Sequence, residues 1–124
     1  MGNGSRFWYI ADGYLPYKGR VEGESFEGHE AVMILNCNLA DAHVLMDIYF
    51  EDNEPERSIE IAVAAERIKC IRMDHPDDIG GVVLGRQVQY ALRFTSDIDI
   101  IVQYGRMDLA QENLAYIGLI GYHE

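Results

Sequence analysis

An all-β fold, a single-domain antiparallel β-sandwich of roughly seven or eight strands, is predicted by three features of the chain. Period-two alternation of apolar and polar residues recurs along it, turn chemistry separates the alternating stretches, and no long segment repeats every three to four residues. The length, 124 residues, suits one domain spanning 1–124, and the 48% hydrophobic and 25% charged composition allows a core without disulfide staples.

The strands follow in order. "RFWYIADGYLP" (6–16) places Phe7, Tyr9 and Ala11 on one face and Trp8 and Ile10 on the other, with Tyr14 beyond Gly13 in a turn that Pro16 stiffens. From this alternation Tyr9 is expected to pack, leaving Trp8 and Tyr14 as the rings available to a ligand. "YKGRVEGESFEG" (17–28) reads as a long polar loop or edge segment. "EAVMILNC" and "DIIVQY" are nearly continuous apolar runs, as in strands covered on both sides. In "HVLMDIYFED" Val44, Met46, Ile48 and Phe50 oppose Leu45, Asp47, Tyr49 and Glu51; in "SIEIAV" Ile59, Ile61 and Val63 share a side; in "QYALRF" Tyr90, Leu92 and Phe94 do.

Turns are expected at "NLAD" (38–41), "EDNEPE" (51–56), "DHPDDIGG" (74–81) and "TSD" (95–97). The one helical candidate is "RMDLAQENLAY", with Asp108 as its N-cap. It makes a small α+β domain the alternative architecture. The tail "LAYIGLIGYHE" reads as a last strand interrupted by Gly118 and Gly121.

Charge narrows the partners. With 21 acidic and 10 basic residues the formal net charge is −11, which disfavours strong nucleic-acid binding and docking on an anionic membrane. No apolar run approaches the roughly 20 residues that span a bilayer, so no membrane insertion is expected. The N-terminus lacks a secretory pattern, and Cys37 and Cys70 have no metal-type spacing; a reduced, cytoplasmic setting follows as the expectation.

Signatures of catalysis are sparse: the chain has no GxSxG, P-loop, HExxH or paired CxxC. His29 and Glu30 are adjacent, and on a strand their side chains point to opposite faces, which is unfavourable for one metal ion. Cys70, grouped with Ile68 by alternation, is expected to be an inert core thiol. No cofactor, metal site or catalytic residue is expected. Two polar clusters stand out instead. "AAERIKCIRMD" holds Arg67, Lys69 and Arg72, and "VQYGRMD" ends an apolar run in Gln103, Arg106 and Asp108. Polar groups at the end of a rigid strand are well placed to line a pocket, and Arg106 and Asp108 could equally pair with each other.

The sequence resembles the sensory rhodopsin transducer family, small prokaryotic proteins, through "WYIADGYLP" (8–16), "HEAVMILN" (29–36), "DAHVLMDIYFEDNEP" (41–55), "VAAERIKCIR" (63–72) and "IIVQYGRMD" (100–108). The resemblance implies a β-sandwich protomer, a homotetramer, and a role in signalling or small-molecule binding, with a sugar as one candidate ligand, rather than catalysis. The matching polar positions supply the candidate ligand site: Trp8, Tyr14, His29, Glu30, Asn36, Arg67, Arg72, Gln103, Arg106 and Asp108, with Gly13 beside them. Cys70 stands where the family's Arg-x-x-His-x-Arg stretch would have histidine, and Ala64 and Asp99 replace expected prolines. The functional expectation is a non-catalytic module recognising a small polar ligand; the alternative is an adaptor docking on the cytoplasmic face of a membrane receptor.

Overall fold

The computed structural model describes residues 2–19, 27–108 and 115–124. Eight strands run in the order β1 (Ser5–Tyr14), β2 (His29–Asn36), β3 (Ala42–Phe50), β4 (Glu56–Val63), β5 (Arg67–Arg72), β6 (Gln89–Asp108), β7 (Ala115–Ile120) and β8 (Tyr122–His123), with a short 3-10 turn at Pro76–Ile79 between β5 and β6. All strand pairs are antiparallel. Sheet A has the order β4-β3-β6-β1-β8, and sheet B has β5 and β6 flanking β2, with β7 on the far side of β6.

The alternating stretches resolve as expected. Val44, Met46 and Ile48 of β3, Ile59, Ile61 and Val63 of β4, and Tyr90, Leu92 and Phe94 of β6 are all buried in one core. Residues at i and i+2 share a face, so each strand contributes a row of side chains to the space between the sheets.

β6 departs from the expectation. The predicted turn at 95–97 lies inside a single strand of 20 residues, because β6 belongs to both sheets: its first half pairs with β1 and β3, its second with β2 and β7. The polar run is the place where the strand changes sheets. β1 shifts register against it there, between Ser5 and Phe7, and the Asp97 carboxylate accepts the His43 backbone N–H at 2.8 Å. The expected helix falls mainly on 109–114, outside the described residues; its flanks, Arg106–Asp108 and Ala115–Tyr116, are strand. The central part of the expected 17–28 loop also lies outside them.

Gly121 separates β7 in sheet B from β8 in sheet A. A Cβ there would stand 3.2 Å from the Trp8 ring and 3.3 Å from two backbone oxygens, so glycine lets the chain pass against the core. Three side-chain expectations are corrected. Trp8 is 2% exposed, with its indole N–H donating to the carbonyls of Ser5 and Ile100, both at 2.9 Å; it is core, and no ligand can stack on it. Tyr9 is half-buried on the outer face of sheet A. Cys70 is exposed, because β5 is an edge strand whose outer row, Ile68 and Cys70, meets no covering layer.

Candidate functional site

Three of the residues singled out from the sequence converge where β1 ends, β2 begins and β6 runs between the sheets. Glu30 is fully buried. One carboxylate oxygen accepts the Tyr14 backbone N–H at 2.8 Å and the Tyr90 hydroxyl at 2.6 Å, and the other accepts Arg106 Nε–H at 2.9 Å. Burying a carboxylate is costly unless it is paired and hydrogen-bonded, and Glu30 meets both conditions. Arg106 stands opposite it in register. Burial works against the Arg106 charge, yet the Glu30 hydrogen bond and charge outweigh it and raise the guanidinium pKa.

The rim of the cluster opens to solvent. The Arg106 guanidinium lies 5.6 Å from the centre of the Tyr14 ring, within cation–π range. A register shift between Ile10 and Gly13 turns the Asp12 carbonyl toward the site, where it accepts the Tyr104 hydroxyl at 2.9 Å and a longer 3.4 Å contact from Arg106. Gly13 is required beside this bulge, since a Cβ would sit 2.5 Å from the Tyr90 ring.

A second ion-pair group braces this corner. Arg72 grips Asp74 with two bonds of 2.7 Å, and Arg86 donates to the carbonyls of Pro16 at 3.1 Å and Gly28 at 2.6 Å while reaching Asp74 at 3.5 Å. Burial pushes the Asp74 carboxyl pKa up, but the Arg72 bonds and charge prevail and hold it below the ordinary value. Arg86 therefore supports the backbone on either side of the Tyr14–Glu30 contact, and Arg72, which holds Asp74 beside Arg86, does not enter that contact.

The other candidates lie elsewhere. His29 points to the outer face of sheet B, its Nδ1 2.8 Å from the Glu27 carbonyl. Gln103 is exposed on that same face. Asp108 ends β6, and Arg106 pairs with Glu30. Asn36 and Arg67 pair with each other at the opposite end of sheet B. There Asn36 is buried and clamps the chain: its amide donates to the carbonyls of Ala40, Val63 and Ala64, and its oxygen accepts from the Asn38 backbone and side chain. Arg67 is exposed and donates to the Glu66 carbonyl.

Tyr90, Tyr104 and Asp12 complete the site without having been singled out by motif. Alternation puts Tyr90 inward, and a buried phenol needs a partner, which is the one sequence signal that points to it. Burial first, and then the Glu30 charge, raise its pKa far above the ordinary 10.0. The folded protein thus keeps a proton that the unfolded chain releases above about pH 10, so stability is flat below that pH and falls above it, by up to about 1.4 kcal/mol per pH unit. Urea melts between pH 8 and 11 should show Tyr90→Phe flattening this alkaline loss, at a neutral-pH cost of about 1 kcal/mol.

A two-sheet antiparallel sandwich that shares one long strand, with a buried Glu–Arg–Tyr cluster at its corner, defines the structural class. The family model described as Anabaena sensory rhodopsin transducer matches residues 3–123, and the chain belongs to that family. Among solved structures, the Anabaena sensory rhodopsin transducer is 33% identical with a TM-score of 0.70, the match covering 84% of this chain and 89% of that one. Thermotoga maritima 1070 shares the fold with a TM-score of 0.85 at 24% identity, covering 98% of this chain and 97% of that one. A search of curated proteins finds no match.

Proposed function

We propose that this chain is a non-catalytic signalling module that recognises a small polar ligand, such as a sugar, at the rim formed by Tyr14, Arg106 and Asp12. The observation that carries this reading is the pairing of the Tyr14 ring with an Arg106 guanidinium whose Nε is held by Glu30 and whose Nη2 reaches the Asp12 carbonyl at 3.4 Å. An aromatic face supplies flat apolar area and a fixed arginine supplies oriented donors, the usual composition of a small-molecule site. The non-catalytic reading is supported by Glu30, whose fully buried carboxylate is engaged in holding Tyr14, Tyr90 and Arg106 together. A thermal-shift screen of mono- and oligosaccharides, nucleotides and small metabolites tests it. At least one class should raise the melting temperature in wild type and lose that effect in Arg106→Gln; no shift with any compound would remove the ligand.

The family and the charge favour a second reading, an adaptor that docks on the cytoplasmic face of a membrane receptor. A surface with formal charge −11 suits a basic receptor loop, and such binding should weaken steeply with salt. Either reading places the chain in the cytoplasm as a homotetramer. The outer face of sheet B supports assembly, with Ile68, Tyr116 and Ile120 each more than half exposed. Light scattering measures the state directly.

A further inference from the structure

At the end of the sandwich where β3 turns into β4, an open groove of about 690 Å³ lies between that turn and the segment 80–88 that leads into β6. Gly80, Gly81 and Gly85 keep its floor low, and Val83 and Val88 line it while remaining 79% and 48% exposed. The floor rests on the core. Gly80 closes the 3-10 turn with a left-handed φ of 66°, and a Cβ there would stand 3.3 Å from the Ile59 side chain of β4.

Glu54 and Glu56 line the opposite wall, and both are exposed. Neither forms an ion pair or a side-chain hydrogen bond with any described residue, in contrast to Glu30 and Asp74. Arg57, the nearest cation in sequence, is turned to the Tyr49 ring, 5.7 Å from its centre. Glu51 and Asp52 of the same turn, with Asp77 and Asp78 of the 3-10 turn, add to the local negative field.

We propose that this groove binds a short extended basic segment of a partner protein, one that alternates lysine or arginine with apolar side chains. Charge selects the partner: carboxylates without a cation attract a basic segment and repel nucleic acid and anionic lipid. An extended chain sends successive side chains to opposite sides, so an apolar row can lie on Val83 and Val88 while a cationic row faces Glu54 and Glu56. The two valines matter because a merely solvated acidic face has no need of exposed apolar area beside it. The inference rests on the adaptor reading above and gives it a place on the chain.

Fluorescence anisotropy of a short labelled peptide of alternating lysine and leucine, titrated with the full chain, tests it; lysine–serine and glutamate–leucine peptides are the counterparts. The lysine–leucine peptide should bind saturably, and raising salt from about 50 to about 300 mM should weaken it about tenfold. Both counterparts should bind about fivefold or more weakly. Glu54→Gln/Glu56→Gln should lower the affinity about tenfold and Val83→Ser about fivefold, whereas Glu60→Gln/Glu66→Gln, which removes the same charge elsewhere, should lower it about twofold or less. All these variants change exposed side chains and should keep the wild-type melting temperature. Salt-sensitive binding that the two double variants weaken equally would overturn the groove and leave the adaptor reading standing; no salt-sensitive binding at all would overturn both. A lysine–serine peptide that binds as tightly would overturn the groove, as would a change of oligomeric state in Val83→Ser by light scattering, which would assign it to a second copy.

Discussion

Glu30→Ala should unfold the protein more readily than any other single change at the corner cluster. The substitution leaves Arg106 without its partner, removes the acceptor for the Tyr90 hydroxyl in the core, and frees the Tyr14 backbone N–H. Removing one member of a buried pair leaves an uncompensated charge, worth about 3–5 kcal/mol, which for a chain of this size lowers the melting temperature by roughly 10–20 °C. Glu30→Gln keeps an acceptor for Tyr90 and should fall between. Differential scanning calorimetry checks both, and a loss below about 1 kcal/mol for Glu30→Ala would mean that the cluster is not held as a unit. Because Glu30 fixes Arg106 Nε, the same change should also release the guanidinium from the rim.

The second large effect is expected from Asn36→Ala. Five hydrogen bonds pass through this one side chain, joining the end of β2 to Ala40, to Asn38 and to the end of β4. Asn38 in turn donates to the Asp99 carbonyl at 2.7 Å, near the point where β6 changes sheets. Each net hydrogen bond contributes about 1 kcal/mol and buried orphans cost more, so a loss of about 2–4 kcal/mol follows, read by chemical denaturation. Asn36 lies at the far end of β2 from Glu30, so its effect should add to that of Arg106→Gln within about 0.5 kcal/mol. Strong coupling between them would argue that the two ends of sheet B respond together.

What could be read from the sequence, and what could not, divides along physical lines. Alternation in β3 and β4 reported the core faces correctly, since charged and polar residues such as Asp47, Ser58 and Glu60 mark the outer side. In β1 both faces carry aromatic residues, so periodicity separates Trp8 from Tyr9 without saying which is inward. The indole sits inside because two carbonyls satisfy its N–H there. The unbroken β6 was hidden by Thr95, Ser96 and Asp97, a turn-like run that marks the change of sheet. Tyr14 and Arg106 stand out from their local sequence and Glu30 from the resemblance, but their contact is unreadable there, because it joins three strands distant in sequence. Asn36, singled out beside them, holds backbone in place, and Arg72 holds the Asp74 carboxylate. The groove beside Glu54 and Glu56 gave no motif at all; its two walls meet only once Gly80 packs against Ile59 of β4.

The most direct measurement is a backbone amide NMR titration of wild type with the compound giving the largest thermal shift, repeated on Arg106→Gln. Saturable shifts concentrated at Asp12, Tyr14 and Arg106, and abolished in the variant without loss of the folded spectrum, are the predicted result. Shifts confined to other parts of the sandwich, or unchanged in Arg106→Gln, would contradict a ligand site at the Glu30-supported rim.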